Sequence, residues 1–337
     1  MDPQKHPAIP LGRDLYQLGT RKFPVYLSLG EVGMLIEGGT SPTAGLIAAQ
    51  VASLGIDPQR IRYIALTHTH ADHIGAVPRL RQRWLHLQVV AGAKAAAHLN
   101  SPKGLEQFLP ADRMIQKIFV GTGQMEALLP EMEDYGLRVD RVLAQGDSLD
   151  LGRGVVWTAH ETPGHSACHM AYHAAGQGVA ALGDMTGYFD PDLDLVWPNY
   201  FASLGDYVAS LLSMAQLPAG MALLSHNGAM SGDMREFLAR ALRETLVYHH
   251  QVCQRLAEGE DQAQLCQHEA RRIHAFAPIA SPKAIDFLCQ CLCRQSRQAA
   301  GLEEALELLG ASAGLAGPGE AGATAWRAGP RLAAGGR

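Results

Sequence analysis

The sequence predicts a layered α/β domain followed by helices. Short apolar runs alternate with segments of helical periodicity through its first half, the pattern of an α/β layered domain. An apolar content of 47% over 337 residues is enough for a substantial core. Several apolar runs also stop abruptly in clusters of His, Asp, Gly and Ser, which places polar loops at strand ends.

Taken in order, residues 1 to 13 are a Pro-rich lead-in, expected to be loosely held. Leu15–Leu18 and Val25–Leu29 are expected as strands, with a turn at Gly30-Glu31. Gly33–Gly39 is a third strand closed by glycines. Pro42–Leu54 has helical spacing, with Ala48, Val51 and Leu54 on one side and Gly55 as a stop. Ile61–Leu66 is a buried strand, Ile74–Trp84 a helix, Leu87–Val90 a strand and Ala93–Leu99 a short helix. Gly75 is placed to let the chain turn closely. Residues 101 to 136 interrupt the alternation and suggest an inserted pair of short helices, either covering a pocket or packed outside.

Gly146–Gly152 is expected as turn, strand and turn. Strands are then expected at Val155–Thr158, His169–Tyr172, Val179–Leu182 and Met221–Leu224, and a helix at Leu204–Leu217. Gly187–Tyr200 is expected as a loop whose aromatics, Tyr188, Phe189, Trp197 and Tyr200, either line a pocket or close the core. Met234–Glu258, Gln262–Ala275 and a run opened by Ser281-Pro-Lys are helical. His249 and His250 are expected on a helix surface. Cys289, Cys291 and Cys293 alternate, a spacing that does not converge on one ion from a helix, so they are expected as small apolar side chains. Residues 310 to 337 are rich in Gly and Ala and are expected to be disordered.

The chemistry concentrates in His68-Thr-His-Ala-Asp-His73. Four metal-competent side chains within six residues cannot converge on one ion from a regular element, but on a loop after a strand they can fan out around two. Imidazole and carboxylate suit zinc, iron or manganese. Three later stretches, Thr162-Pro-Gly-His165, Leu182-Gly-Asp184 and Leu224-Ser-His226, each follow an apolar run and count toward a family resemblance. Glu37 is expected as a hydrogen-bond acceptor behind the histidines, or as an ordinary strand-end carboxylate. His169 is expected as a buried structural residue.

These motifs, in this order, resemble the metallo-β-lactamase superfamily in its hydrolase branch, over roughly residues 15 to 230. The resemblance implies a four-layer αββα sandwich over 1–234, with an insertion at about 101–136, a helical cap at 235–309 and the tail from 310. It implies that His68, His70 and His165 hold one divalent ion, that Asp72, His73 and His226 hold a second, and that Asp184 bridges them. Zinc is the first choice, with iron or manganese as alternatives. The expected nucleophile is a hydroxide shared by the ions, with Asp72 steering its proton. Many members carry Asp at the position of Glu37. Glyoxalase II-like and 2-aminobenzoylacetyl-CoA thioesterase-like enzymes share the ligands and have helices after the sandwich, so a small thioester or acyl ester is the expected substrate. The alternatives are a phosphodiesterase, a mononuclear iron persulfide dioxygenase, or a regulatory binding protein with an intact metal site. His70 disfavours the oxygen-reducing diiron branch, which usually has Glu there.

A net charge of −5 argues against a nucleic-acid partner. No apolar run is long enough to span a bilayer. With no apolar leader after Met1 and six cysteines in the chain, the expectation is a cytoplasmic protein with reduced thiols and no membrane partner. A homodimer is compatible with the sequence.

Overall fold

The computed structural model describes residues 1–276, 281–299, 302 and 327–328. These residues form two seven-stranded sheets packed face to face, with helices on both outer faces. The first sheet runs β1 (Ile9–Gly12), β2 (Leu15–Gly19), β3 (Pro24–Leu29), β4 (Gly33–Ile36), β5 (Ile61–Ala65), β6 (Gln88–Gly92) and β7 (Arg141–Leu143), in chain order. The second contains β8 (Ser148–Asp150), β9 (Val156–Glu161), β10 (Met170–Ala174), β11 (Val179–Gly183), β14 (Met221–Leu224), β15 (Ala229–Ser231) and β16 (Arg327–Ala328). Its spatial order is β16-β15-β14-β11-β10-β9-β8. The ribbon β12 (Tyr188–Asp190) and β13 (Leu195–Trp197) stands apart from both.

Three apolar cores explain the layering. Alternate residues of the facing strands, among them Tyr26, Ile36, Val90, Trp157 and Tyr172, fill the space between the sheets. The other face of the first sheet packs against α1 (Ala44–Ser53), α3 (Val77–Arg83), α4 (Ala93–Leu99) and part of α5 (Pro102–Gly121). The second sheet packs against α6 (Leu204–Met214), α7 (Met234–Ala257), α8 (Gln262–Phe276) and α9 (Pro282–Gln298). The result is the expected αββα order. Strands β4 and β5 are buried along most of their length and pair in parallel, in keeping with the largely apolar runs before Glu37 and His68.

Side chains bolt the sheets together beside the strand ends. Tyr26 Oη donates to Leu224 O at 2.6 Å, and Tyr172 Oη donates to Leu66 O at 2.7 Å. Trp157 Nε1 donates to Ser28 Oγ at 3.0 Å. Two of the accepting carbonyls lie two residues before His68 and His226, so the inter-sheet core fixes where those loops begin.

Several expectations are corrected. The lead-in is held in part, because Ile9–Gly12 forms an edge strand on β2. The helix expected at Ile74–Trp84 is two, α2 (Ala71–Ile74) and α3, separated around Gly75. A Cβ at Gly75 would lie 2.5 Å from Ser41 N, so the glycine serves close backbone packing. The inserted pair is one 20-residue helix, α5, running through Pro110. Pro110 costs a main-chain bond, but tertiary contacts compensate: Phe108 and Phe119 are buried, and Gln116 Oε1 accepts Leu129 N at 2.9 Å. The expected loop 187–200 contains the β12–β13 ribbon. His249 is buried against its expected surface position, whereas His250 is exposed.

Cys289, Cys291 and Cys293 are buried, in line with an apolar role, and Cys293 Sγ meets Cys266 Sγ at 3.3 Å. Of the stretch 310–337, expected to be disordered, Arg327–Ala328 pair with β15 and the rest lies outside the described residues. No helix among the described residues is long and apolar enough to cross a membrane.

Candidate metal centre

Every expected ligand follows the C-terminal end of a strand at one edge of the sandwich, on a loop or, for Asp72 and His73, on the short helix α2. β5 delivers His68, His70, Asp72 and His73. β9 leads to His165, β11 to Asp184 and β14 to His226. All seven side chains converge, in overlapping groups: His68 with His70 and His165; His68 with His73 and Asp184; and Asp72 with His73 and His226.

In the first cluster the ring nitrogens face one another. His68 Nε2 lies 3.0 Å from His70 Nδ1, and His165 Nε2 lies 3.2 Å from His68 Nε2 and 3.0 Å from His70 Nδ1. The outer hydrogen bonds assign the tautomers. His165 Nδ1–H donates to Asn199 O at 3.0 Å. Thr67 Oγ1 donates to Glu37 Oε1 at 2.8 Å, so it accepts from His68 Nδ1–H at 2.9 Å. Both Nε2 atoms therefore carry lone pairs pointed at each other, with no proton between them. A shared cation would resolve that repulsion. Tetrahedral metal–nitrogen bonds of about 2.0–2.1 Å set neighbouring ligand nitrogens about 3.3 Å apart, close to the spacing seen.

In the second cluster Asp72 Oδ2 lies 3.2 Å from His73 Nε2 and 3.7 Å from His226 Nε2. His73 Nδ1–H donates to Glu37 Oε2 at 3.1 Å and His226 Nδ1–H to Lys22 O at 2.9 Å, which again leaves Nε2 for a metal. His73 Nε2 is buried with no hydrogen-bond partner. Asp184 joins the clusters: its Oδ2 is 3.4 Å from His165 Nε2 and 3.6 Å from His73 Nε2, and its Oδ1 is 3.6 Å from His226 Nε2. The donor set and tautomers thus fit two divalent cations.

The clusters differ in their metal-free charge. Burial holds His68, His70 and His165 below the ordinary imidazole value, so they are neutral and ready to coordinate. Burial also pushes His73 and His226 down, but the charges of Asp184 and Asp72 outweigh it and hold both above that value. Burial raises Asp72 and Asp184, and the neighbouring imidazoles more than reverse this, keeping both ionised. A raised imidazole holds its proton more tightly than an ordinary one, and a metal must displace it. Loading the second cluster is therefore expected to release protons and to weaken as pH falls. Calorimetry in buffers of different ionisation enthalpy checks this, and heats independent of buffer would contradict it.

Glu37 is the acceptor expected behind the histidines, and it does more than a strand-end carboxylate would. Besides Thr67 and His73 it accepts Ser225 Oγ at 2.6 Å, so one buried carboxyl group ties together the ligand segments that follow β5 and β14. His169 also has a defined task. Its Nε2 accepts Asp184 N–H at 3.1 Å, and its Nδ1–H donates to Thr162 Oγ1 at 2.8 Å. Gly183, at φ +57°, passes so close that a Cβ would lie 2.5 Å from His169 Nε2. His169→Ala is expected to cost about 1–3 kcal/mol by leaving the Asp184 amide unpaired, read as a lower melting temperature of the metal-free protein.

Sequence reading missed Thr67 and Ser225, whose one signal is that each directly precedes a ligand. The Asn199 and Lys22 carbonyls leave no sequence signal at all.

Five of the ligands, His70, Asp72, His165, Asp184 and His226, line a cavity of about 700 Å³. Its walls include Phe23, Phe108, Ile115 and Phe119 on one side and Trp197 and Phe201 on another, with Lys94 also lining it. Tyr188 and Trp197 line this cavity, whereas Phe189 and Tyr200 close the core beneath the helices. Helix α5 supplies much of the wall, so the insertion covers the pocket.

A four-layer αββα sandwich with two His/Asp clusters sharing a carboxylate at one strand edge defines a class of metal-site proteins. The chain belongs to the metallo-beta-lactamase superfamily, whose sequence pattern matches residues 25–226. It is 30% identical over 158 residues to a probable metallo-hydrolase of Burkholderia pseudomallei, covering 44% of this chain and 45% of that protein. It is 30% identical over 143 residues to a hydroxyacylglutathione hydrolase of Cereibacter sphaeroides, covering 42% of this chain and 40% of that protein. The matches thus span less than half the length of these relatives. Among solved structures, a metallo-beta-lactamase family protein from Thermus thermophilus superposes with a TM-score of 0.58 at 22% identity, over 88% of this chain and 95% of that one, a likeness of fold.

Proposed function

We propose that this protein is a hydrolase that works with two divalent cations and cleaves a thioester or acyl ester. The observation that carries the reading is Asp184, whose carboxylate faces both ligand clusters at once. Two cations held there supply Lewis acidity and a water ionised near neutral pH. His68, His70 and His165 would hold one, Asp72, His73 and His226 the other, and Asp184 both. Zinc suits this donor set first, and iron or manganese are alternatives.

The chain's own groups do the rest. Asp72, kept ionised by His73 and His226, lines the cavity, where it can accept a hydrogen bond or a proton from water. The apolar walls exclude bulk water around the scissile bond, which strengthens each charge interaction inside. The hydroxyacylglutathione hydrolase among the relatives supports an acyl-transfer substrate. A cytoplasmic, reduced setting suits the six free thiols.

The test is metal analysis of natively expressed protein together with hydrolysis assays. About two metal ions per chain are expected, with cleavage of acyl thioesters and none of bis-p-nitrophenyl phosphate. Cleavage of the phosphodiester alone would replace the reading by the phosphodiesterase alternative. Oxygen consumption with glutathione persulfide and one iron per chain would replace it by the dioxygenase.

A further inference from the structure

Two aromatic walls rise from the metal ligands themselves. On one side the Phe23 ring lies 5.7 Å from His226, centroid to centroid, and 5.8 Å from Phe119 of α5. On the other, Phe201 lies 5.4 Å from His165 and 6.1 Å from Trp197. Between them the cavity is mostly apolar, and Ile115 extends the first wall along α5. Polar side chains such as Thr69, Gln107, Ser166 and Asn199 line part of the cavity, but apolar side chains make up most of the surface between the walls, and an apolar acyl group gains most from covering it. Lys94, on the first turn of α4, is exposed and is the one lysine or arginine among the described lining residues. Apart from Asp72 and Asp184, which belong to the metal centre, no acidic residue among the described ones lines the cavity. Outside that centre its fixed charge is therefore positive and sits at the solvent side.

We propose that the substrate is amphipathic: an apolar medium-length or aromatic acyl group held between the aromatic walls, joined to a thiol or alcohol that carries anionic charge toward Lys94. The assignment rests on the hydrolase reading above and names its substrate class. Hydrolysis adds one water across the acyl C–S or C–O bond. The acyl carbon gains the oxygen, the freed thiol or alcohol takes up a proton, and no oxidant or reductant is needed. Helix α5 and Phe201 act in specificity, because they shape the room for the acyl group.

The experiment compares acetyl, butyryl, hexanoyl and octanoyl thioesters of coenzyme A, which is anionic, with those of N-acetylcysteamine, which is neutral, and with S-lactoylglutathione. The metal-loaded full chain is used throughout. kcat/KM is expected to rise about fourfold per added methylene, the scale of burying one CH₂. Ile115→Ala and Phe119→Ala are expected to flatten that slope. Lys94→Glu is expected to lower the preference for coenzyme A over N-acetylcysteamine about tenfold, and added salt should act in the same direction.

Binding of octanoate against acetate, followed by tryptophan fluorescence, gives a readout independent of turnover. Octanoate is expected to bind the loaded protein more tightly, and less so after Phe119→Ala. A flat or falling chain-length profile, or S-lactoylglutathione cleaved as well as the octanoyl thioesters, overturns this inference and leaves the hydrolase reading standing. An unchanged preference after Lys94→Glu overturns its anionic half. Tight octanoate binding without cleavage of any thioester overturns the hydrolase reading and keeps the apolar slot. Neither binding nor cleavage overturns both.

Discussion

If the proposed two-cation hydrolase reading holds, Asp184→Asn is expected to lower turnover by at least about a hundredfold and the metal content from the proposed two ions per chain toward one or none. Losing an outer hydrogen-bond partner of a metal ligand typically costs about 10–100-fold in affinity or activity. Asp184 faces both clusters directly, so that range is a floor. Asparagine keeps the size of the side chain and removes its charge, leaving the positive charge of both cations less compensated. The backbone N–H of residue 184 still reaches His169, so the loop is expected to stay in place. Elemental analysis, steady-state kinetics and the melting curve of the metal-free variant check this together. Two ions retained with parental turnover would refute the bridging role.

The second large effect is expected from Glu37→Gln. Glu37 Oε1 accepts Thr67 and Ser225, and Oε2 accepts His73 Nδ1–H. With its oxygen turned to the two hydroxyls, a glutamine would present NH₂ to His73 Nδ1. The imidazole then does best by moving its proton to Nε2, where the second cation needs a lone pair. Metal affinity at that cluster is expected to fall about 10–100-fold. The metal-free protein is expected to lose about 1–3 kcal/mol, the cost of an imperfectly paired buried polar group. Chelator competition measures the first and denaturant unfolding the second. Parental affinity in the variant would show that Glu37 does not set the His73 tautomer.

Much of the fold was legible because strand and helix periodicities are local. Core strands such as Val25–Leu29, Ile61–Leu66 and Val179–Leu182, and the helices opened by Ala93 and by Ser281-Pro, lie close to where their apolar spacing and caps put them. The misreadings fall where tertiary packing overrides local chemistry. Pro110 reads as a helix break, but buried Phe108 and Phe119 carry α5 through it. Ile9–Gly12 has little strand character alone and becomes a strand because β2 offers an edge. His249 looks like one face of an exposed helix until α8 and α9 fold over α7.

The H-x-H-x-D-H spacing, together with the family resemblance it carries, was enough to name all seven candidate ligands, because metal-site chemistry is written in residue type and short spacing. Where their lone pairs point was decided by the folded chain alone. Tautomers are set by acceptors distant in sequence: Glu37 reaches its hydroxyl partners Thr67 and Ser225 across 30 and 188 positions, and His226 is held by the Lys22 carbonyl across 204. A main-chain carbonyl has no identity in a sequence, and a cavity wall built from segments far apart in the chain has no spacing to read. Both come into being only when the two sheets close on their shared core.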